Sequence, residues 1–200
     1  VILVVCALLA ELRYVAERPN VEILACGIGP VEAAVAVSSA LARGRYDAVV
    51  NAGIAGAFRG SARVGDAVLV RDELLADLGL EGGGALSLPD GATLVERTAA
   101  DPALLGICTP TALPLVRGVT VAQVTATDAT AARLRARYAA DVESMEGFSV
   151  LRAAAVAKIP ALEVRGISNY VGDRASGEWD FAAGARATAR GLEAVLDRIA

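Results

Sequence analysis

"VEILACGIGPVEAAVAVSSALAR", residues 21–43, holds a strand, a glycine turn and a helix in one run. The apolar stretch 21–27 is too short for a helix and stops at Gly27, which reads as a buried strand. Pro30 then opens an alanine-rich helical pattern, at the position where its missing N–H costs nothing. A strand turning through glycine into a helix is the repeating unit of α/β chains.

The same alternation extends in both directions. Strand-like runs fall at 1–7, 47–53, 66–71, 119–125 and 161–168, and helical patterns at 130–139, 143–158 and 182–199. They predict a single domain over residues 1–200. Its architecture is a three-layer α/β/α sandwich around a central, mostly parallel, twisted sheet. No internal repeat, linker or second domain interrupts it. Residues 79–92, "GLEGGGALSLPDGA", read as a mobile surface loop.

Composition agrees. The chain of 200 residues is 55% hydrophobic, with only 4% aromatic residues, which suits strands buried on both faces by helices. Its mean hydropathy is +0.51, yet no apolar run reaches membrane-spanning length. "VILVVCALLA" at the start lacks a basic flank and runs straight into Glu11, so it reads as a first strand, not a signal core. A net charge of −4 with scattered basic residues argues against nucleic acid as a partner. Cys6, Cys26 and Cys108 have no metal-site spacing, and free thiols in strands point to the cytoplasm. The chain has no histidine, which excludes Ser-His-Asp triads, histidine metal sites and imidazole acid–base chemistry. Chemistry here has to run on carboxylates, amides, arginines and backbone, and no cofactor or metal is expected.

Ligands of open α/β sheets bind beyond the carboxyl ends of the strands. The unusual residues gather there: Glu11, "CGIGP" (26–30), "NAGIAG" (51–56), "TATDAT" (125–130) and "SNYVGDR" (168–174). "CGIGP" has two readings, a dinucleotide fingerprint lacking its third glycine or a tight turn of closely approaching backbone. "NAGIAG" likewise reads either as a sharp strand-to-loop turn or as a wall, around Gly53 and Ile54, against a flat ligand. Asp66 in "RVGD" reads as a turn residue bonding local backbone.

"ADVESMEGFSVLRAAAVAKIP", residues 140–160, reads as a helix with Glu143 and Glu146 on one face, above Val150, Ala154 and Ala157 as core. Glu143 reads as a solvated first-turn acid favoured by the helix dipole. Glu146 heads a buried stripe, where an unpaired carboxylate costs several kcal/mol. Gly147, costing roughly 1 kcal/mol against Ala in a helix, indicates close approach of backbone or ligand. A carboxylate accepting from two vicinal sugar hydroxyls satisfies both constraints. On the last strand Arg165, Ile167 and Asn169 share a face, with Glu163 available to pair Arg165.

Taken in order, these motifs resemble the nucleoside phosphorylase/nucleosidase superfamily, nearest its methylthioadenosine/adenosylhomocysteine nucleosidases. Ala7–Glu11 resembles the family's "AMEEE", Gly27–Gly29 its "SGIG", residues 51–56 its "NTGSAGG", and Val64–Asp66 its "VGD". Asp128–Ala129 is similar to the "GDAF" region, Glu143–Gly147 to "VEMEA" with Ser144 inserted, and Arg165–Asn169 to "RAISD". The resemblance implies a nucleoside phosphorylase-like fold and cleavage of a purine nucleoside. It implies that Glu11 activates water, with Arg165 orienting it, and that Met145 and Glu146 hold the ribose. It also implies a homo-oligomer, a dimer or larger, with a neighbour closing the pocket.

Three departures refine this. Asn169 replaces the aspartate that protonates adenine N7, and Ile54 replaces a serine near the water. "ESMEGF" and "SNYVGDR…W" resemble the futalosine hydrolase branch, which acts in an alternative menaquinone pathway and releases hypoxanthine. An amide suits a 6-oxopurine, since it donates to N7 and recognises the 6-oxo group, while hypoxanthine leaves more readily than adenine. Asp173 stands in reserve as an acid. Phe148 and Trp179 stand in for the base-stacking aromatic, which falls near Thr130, and Arg174 is the expected partner of the substrate's distal carboxylate.

Glu11 stands where phosphorylases of this superfamily place a phosphate-binding arginine. A carboxylate ~4 Å from a phosphate charge costs roughly 4 kcal/mol at an effective dielectric of ~20, about three decades in affinity. Hydrolysis of futalosine to hypoxanthine and dehypoxanthinyl futalosine is therefore the expected reaction. Purine nucleoside phosphorolysis, adenine-type nucleosidase activity and a non-catalytic nucleoside sensor are the alternatives.

Overall fold

β1 (Ile2–Cys6) lies between β2 (Val21–Ala25) and β3 (Ala48–Ala57) and runs parallel to both. The computed structural model describes residues 1–76, 78–81, 87–173 and 179–200. Five more strands follow: β4 (Ala67–Leu75), β5 (Arg97–Ala99), β6 (Leu115–Thr120), β7 (Val142–Ser144) and β8 (Ala161–Tyr170). The helices are α1 (Pro30–Arg43), α2 (Pro102–Cys108), α3 (Asp128–Tyr138), α4 (Gly147–Ala157) and α5 (Phe181–Ile199).

The sheet is mixed, where the sequence predicted a mostly parallel one. β3–β7, β4–β5 and β4–β8 pair antiparallel, and the remaining pairings are parallel. The pairings also close a ring, since β3 bonds β7, β7 bonds β6, β6 bonds β4, β4 bonds β8, and β8 returns to β3. Each of the five contributes an apolar residue to one interior cluster: Ala55, Val68, Val70, Val116, Val142 and Ile167.

Where β2, β1, β3 and β8 lie side by side, the expected layers are present. Leu3, Val5 and Val49 point to α1 and α4 through Val37, Val150 and Leu151. Val4, Val50, Leu162 and Val164 point the other way, to Leu192 and Leu196 of α5. This period-two alternation with apolar residues on both faces is what a doubly covered sheet requires. α5 sits flush on β8, because a Cβ on Gly166 would lie 2.1 Å from the Gly184 carbonyl oxygen.

α1 occupies the predicted bounds, and Gly29 precedes it at φ 97°, a conformation that favours glycine. The greatest departures surround polar residues in strands. β6 begins at Leu115, ahead of the predicted 119–125, because Arg117 and Gly118 interrupt its apolar run; Arg117 Nε donates to Asp72 at 2.9 Å. β4 continues through Asp72 and Glu73, past the predicted end. β5 and α2 were not predicted; Asp101 caps α2 by accepting from Ala103 N and Leu104 N at 2.9 Å each.

Residues 142–144 are strand, not helix, and α4 starts only at Gly147. Glu143 and Glu146 therefore do not share a helical face. Ala157, expected in the core, is exposed at the end of α4, whereas Val150 and Ala154 are buried. "NAGIAG" does not end its strand either. β3 runs on beside β8 to Ala57, with a register shift at Ala55/Gly56 where it bends into the ring. Residues 82–86 of the predicted loop lie outside the described residues.

Candidate active site

Glu11 closes a short 3-10 turn after β1 and is 4% exposed. Its Oε2 accepts from Leu8 N and its Oε1 from Ile54 N, both at 2.9 Å. Burial raises its pKa above the ordinary glutamate value, opposed by those two N–H groups and by Arg165. Arg165 is 1% exposed, its Nε donating to Glu163 Oε1 at 2.7 Å as the sequence proposed. Gly53 lies between the two functional groups, because a Cβ there would meet Glu11 Oε1 at 2.8 Å and Arg165 Nη1 at 2.9 Å. The wall around Gly53 is thus approached by the protein's own carboxylate and guanidinium. Thr188 of α5 fixes it from behind, donating to the Gly53 carbonyl at 2.9 Å.

Glu146 sits at the N-cap position of α4, buried, and accepts from Gly29 N at 2.9 Å. That bond decides between the two readings of "CGIGP". Gly27 and Gly29 both have positive φ, and the N–H before α1 is spent on Glu146, as a tight turn and not a pyrophosphate cradle. Glu143 is not a solvated acid. It is buried in β7 and accepts from Thr125 N at 3.1 Å and from Thr125 Oγ1. The close approach at Gly147 is likewise internal, since a Cβ there would lie 2.5 Å from Glu73 Oε1.

At the end of β8 the register against β3 skips Ser168, pairing Ala55 with Ile167 and Gly56 with Asn169. Such a bulge re-aims side chains, and here both Ser168 and Asn169 reach one cleft. Trp179 Nε1 donates to Ser168 Oγ at 3.0 Å, and Asn169 Nδ2 donates to the Tyr170 carbonyl at 3.0 Å.

An open cleft of about 700 Å3, mouth included, brings together Glu11, Ile54, Met145, Glu146 and Asn169. Leu8, Ile28, Trp179 and Phe181 add an apolar side, and no Arg or Lys appears among the described lining residues. Gly53 and Arg165 lie behind that wall. Phe148 and Asp173 do not line the cleft. Phe148 is buried with its N–H on Thr120 Oγ1 at 2.7 Å, Asp173 is exposed away from the lining, and Arg174 lies outside the described residues. Ser168, Leu8 and Phe181 were missed; a bulge, a backbone donor and an aromatic at a helix start carry no pattern of their own.

A family model described as the Phosphorylase superfamily matches residues 10–200. The chain belongs to that superfamily. It is 35% identical to a futalosine hydrolase of Thermus thermophilus over 86% of this chain and 80% of that protein. It is 40% identical to a futalosine hydrolase of Streptomyces coelicolor over 79% of this chain and 71% of that one. In three dimensions it matches the futalosine hydrolase of Helicobacter pylori with a TM-score of 0.83, at 17% identity, over 98% of this chain and 97% of the other. The three-layer fold and the superfamily expected from the motifs are both found. Among the described residues no helix is long and apolar enough to cross a membrane.

Proposed function

We propose that this chain hydrolyses the N-glycosidic bond of futalosine, releasing hypoxanthine, as a step of menaquinone biosynthesis in the cytoplasm. The similarity to futalosine hydrolases at 35% and 40% identity supports the substrate. The reaction type rests on one observation: Glu11 faces a cleft whose described lining holds carboxylates and no cation. A phosphate nucleophile entering there would meet like charge, whereas water meets a buried base.

Water on the Glu11 side loses its proton to that carboxylate as it attacks the anomeric carbon. The raised pKa of Glu11 strengthens it as a base. Leu8 N and Ile54 N hold Glu11 in place, and the nearby Arg165 charge favours its ionised form before the proton arrives. Positive charge that develops on the ribosyl ring is met by Glu146, which accepts from the sugar hydroxyls while Gly29 N orients it. Met145 packs on the sugar. Asn169, re-aimed by the bulge, donates to N7 of the departing base and recognises its 6-oxo group. An adenine-type nucleosidase would need an acid there, and Asp173 is exposed outside the lining.

In addition to Arg174, which lies outside the described residues, Arg13 is a second partner for the substrate's distal carboxylate. Its guanidinium carbon lies 5.9 Å from the ring centre of Phe181, which lines the cleft. Ile28 at the cleft, with Val31 and Val35 one turn apart on α1, is exposed and apolar, a surface suited to a second copy of the chain.

The test is a panel of futalosine, inosine and methylthioadenosine, each with and without phosphate, following free base. Turnover greatest on futalosine and indifferent to phosphate supports the proposal. Phosphate-dependent turnover, or preference for methylthioadenosine, rejects it.

A further inference from the structure

Glu73 of β4 and Glu163 of β8 are both fully buried, and they meet beneath the first residue of α4. A Cβ on Gly147 would lie 2.5 Å from Glu73 Oε1 and 2.7 Å from Glu163 Oε1. One on Gly118 would lie 1.9 Å from Glu73 Oε1. Two glycines therefore exist here to admit a pair of carboxyl groups that the reaction above does not use.

The surrounding bonds leave Glu73 Oε1, Glu163 Oε2 and Arg165 Nη2 without partners. Glu163 Oε1 accepts from Arg165 Nε at 2.7 Å, and Glu73 Oε2 accepts from Thr120 Oγ1 at 2.8 Å. Glu73 Oε1 and Glu163 Oε2 are buried and find no donor so long as both groups are ionised. Two adjacent carboxylates would share a single cation, Arg165, which also faces Glu11 and Glu146. Burying an uncompensated carboxylate costs several kcal/mol. A proton on Glu73, donated to the adjoining Glu163 carboxylate, gives Glu73 Oε1 a partner and leaves one net charge to face Arg165.

We infer that Glu73 carries a proton and shares it with Glu163, and that this carboxyl–carboxylate pair is a positioning device for the cleft. On one side it fixes Glu163, hence Arg165, hence the face of Gly53 against which Glu11 lies. On the other it fixes Thr120, whose Oγ1 accepts the Phe148 N–H and so sets the start of α4 next to Glu146. Burial and the Glu163 charge both act to keep the proton on Glu73, with the Thr120 bond and Arg165 opposing. Base and sugar clamp thus hang from one buried proton. The consequence for turnover rests on the roles proposed for Glu11 and Glu146, whereas the proton itself does not.

Infrared difference spectroscopy of wild type against Glu73→Gln, at neutral pH without substrate, reads the proton directly. A protonated-carboxyl carbonyl band present in wild type and lost in the variant is expected. Gln keeps a neutral donor, so E73Q should fold and hold kcat within about threefold of wild type. E163Q, which strips Arg165 of its partner, should lower kcat about tenfold or more with KM little changed. No band in wild type, an E73Q protein that fails to fold, or an E73Q loss of kcat beyond about tenfold would each overturn the inference. The band needs no turnover, so its absence is distinguishable from a mistaken substrate.

Discussion

Glu11 and Arg165 approach one another over the bare α-carbon of Gly53, where a single added carbon would sit 2.8 Å from Glu11 Oε1 and 2.9 Å from Arg165 Nη1. Neither neighbour can retreat. Glu11 is tied to Leu8 N and Ile54 N, and Arg165 to Glu163. Gly53→Ala should therefore displace the base, and misplacement of about 1 Å costs about 10²-fold in rate. Kinetics of a G53A protein with wild-type circular dichroism check this, and kcat should fall far more than KM rises.

Glu11→Gln keeps the shape but cannot take a proton. Base release should drop by about 10² to 10⁴-fold, the usual range for a lost general base. In wild type the acid limb of kcat/KM should lie above the ordinary glutamate pKa, because burial raises that of Glu11. Rate profiles against pH for both proteins read the limb, which should be missing from E11Q.

Asn169 is the residue proposed to select the base. Asn169→Asp should lower futalosine turnover and raise that of methylthioadenosine, since an acid can then protonate adenine N7. The ratio of the two activities should move by about 10²-fold.

Arg13 should matter only for substrates with a distal carboxylate. Arg13→Ala should raise KM for futalosine about tenfold, in line with about 1.5–3 kcal/mol for a hydrogen bond to a charged group. KM for inosine, which lacks the carboxylate, should stay unchanged.

Stability should also depend on pH through Glu73. Its folded-state pKa is raised well above the ordinary value by burial. The folded chain therefore holds this proton where the unfolded chain has lost it. The contribution is complete below the unfolded-state carboxyl range and is lost as pH rises through the folded value. Denaturant midpoints from pH 4 upward should fall less steeply in E73Q than in wild type.

How far the sequence could be read follows the same chemistry. Where one residue carries the whole pattern, its place in the fold was legible. Pro30 starts α1, Arg165 pairs with Glu163, and Glu11, Met145, Glu146 and Asn169 meet in one cleft. Glu143 was misread because a three-residue strand has no periodicity, so β7 looked like the first turn of α4. Gly147 was read correctly as a site of close approach, but the partner was Glu73, 74 residues away in the chain by its number. Ring closure by β4–β8 depends on long-range pairing that no local window records.

In the proposed reaction water, activated by Glu11, is the nucleophile. Incubating the protein with futalosine in heavy-oxygen water and inorganic phosphate, then examining the sugar product by mass spectrometry, tests it directly. Hydrolysis should leave one heavy oxygen at the anomeric hydroxyl and no sugar phosphate. An unlabelled sugar 1-phosphate would contradict it.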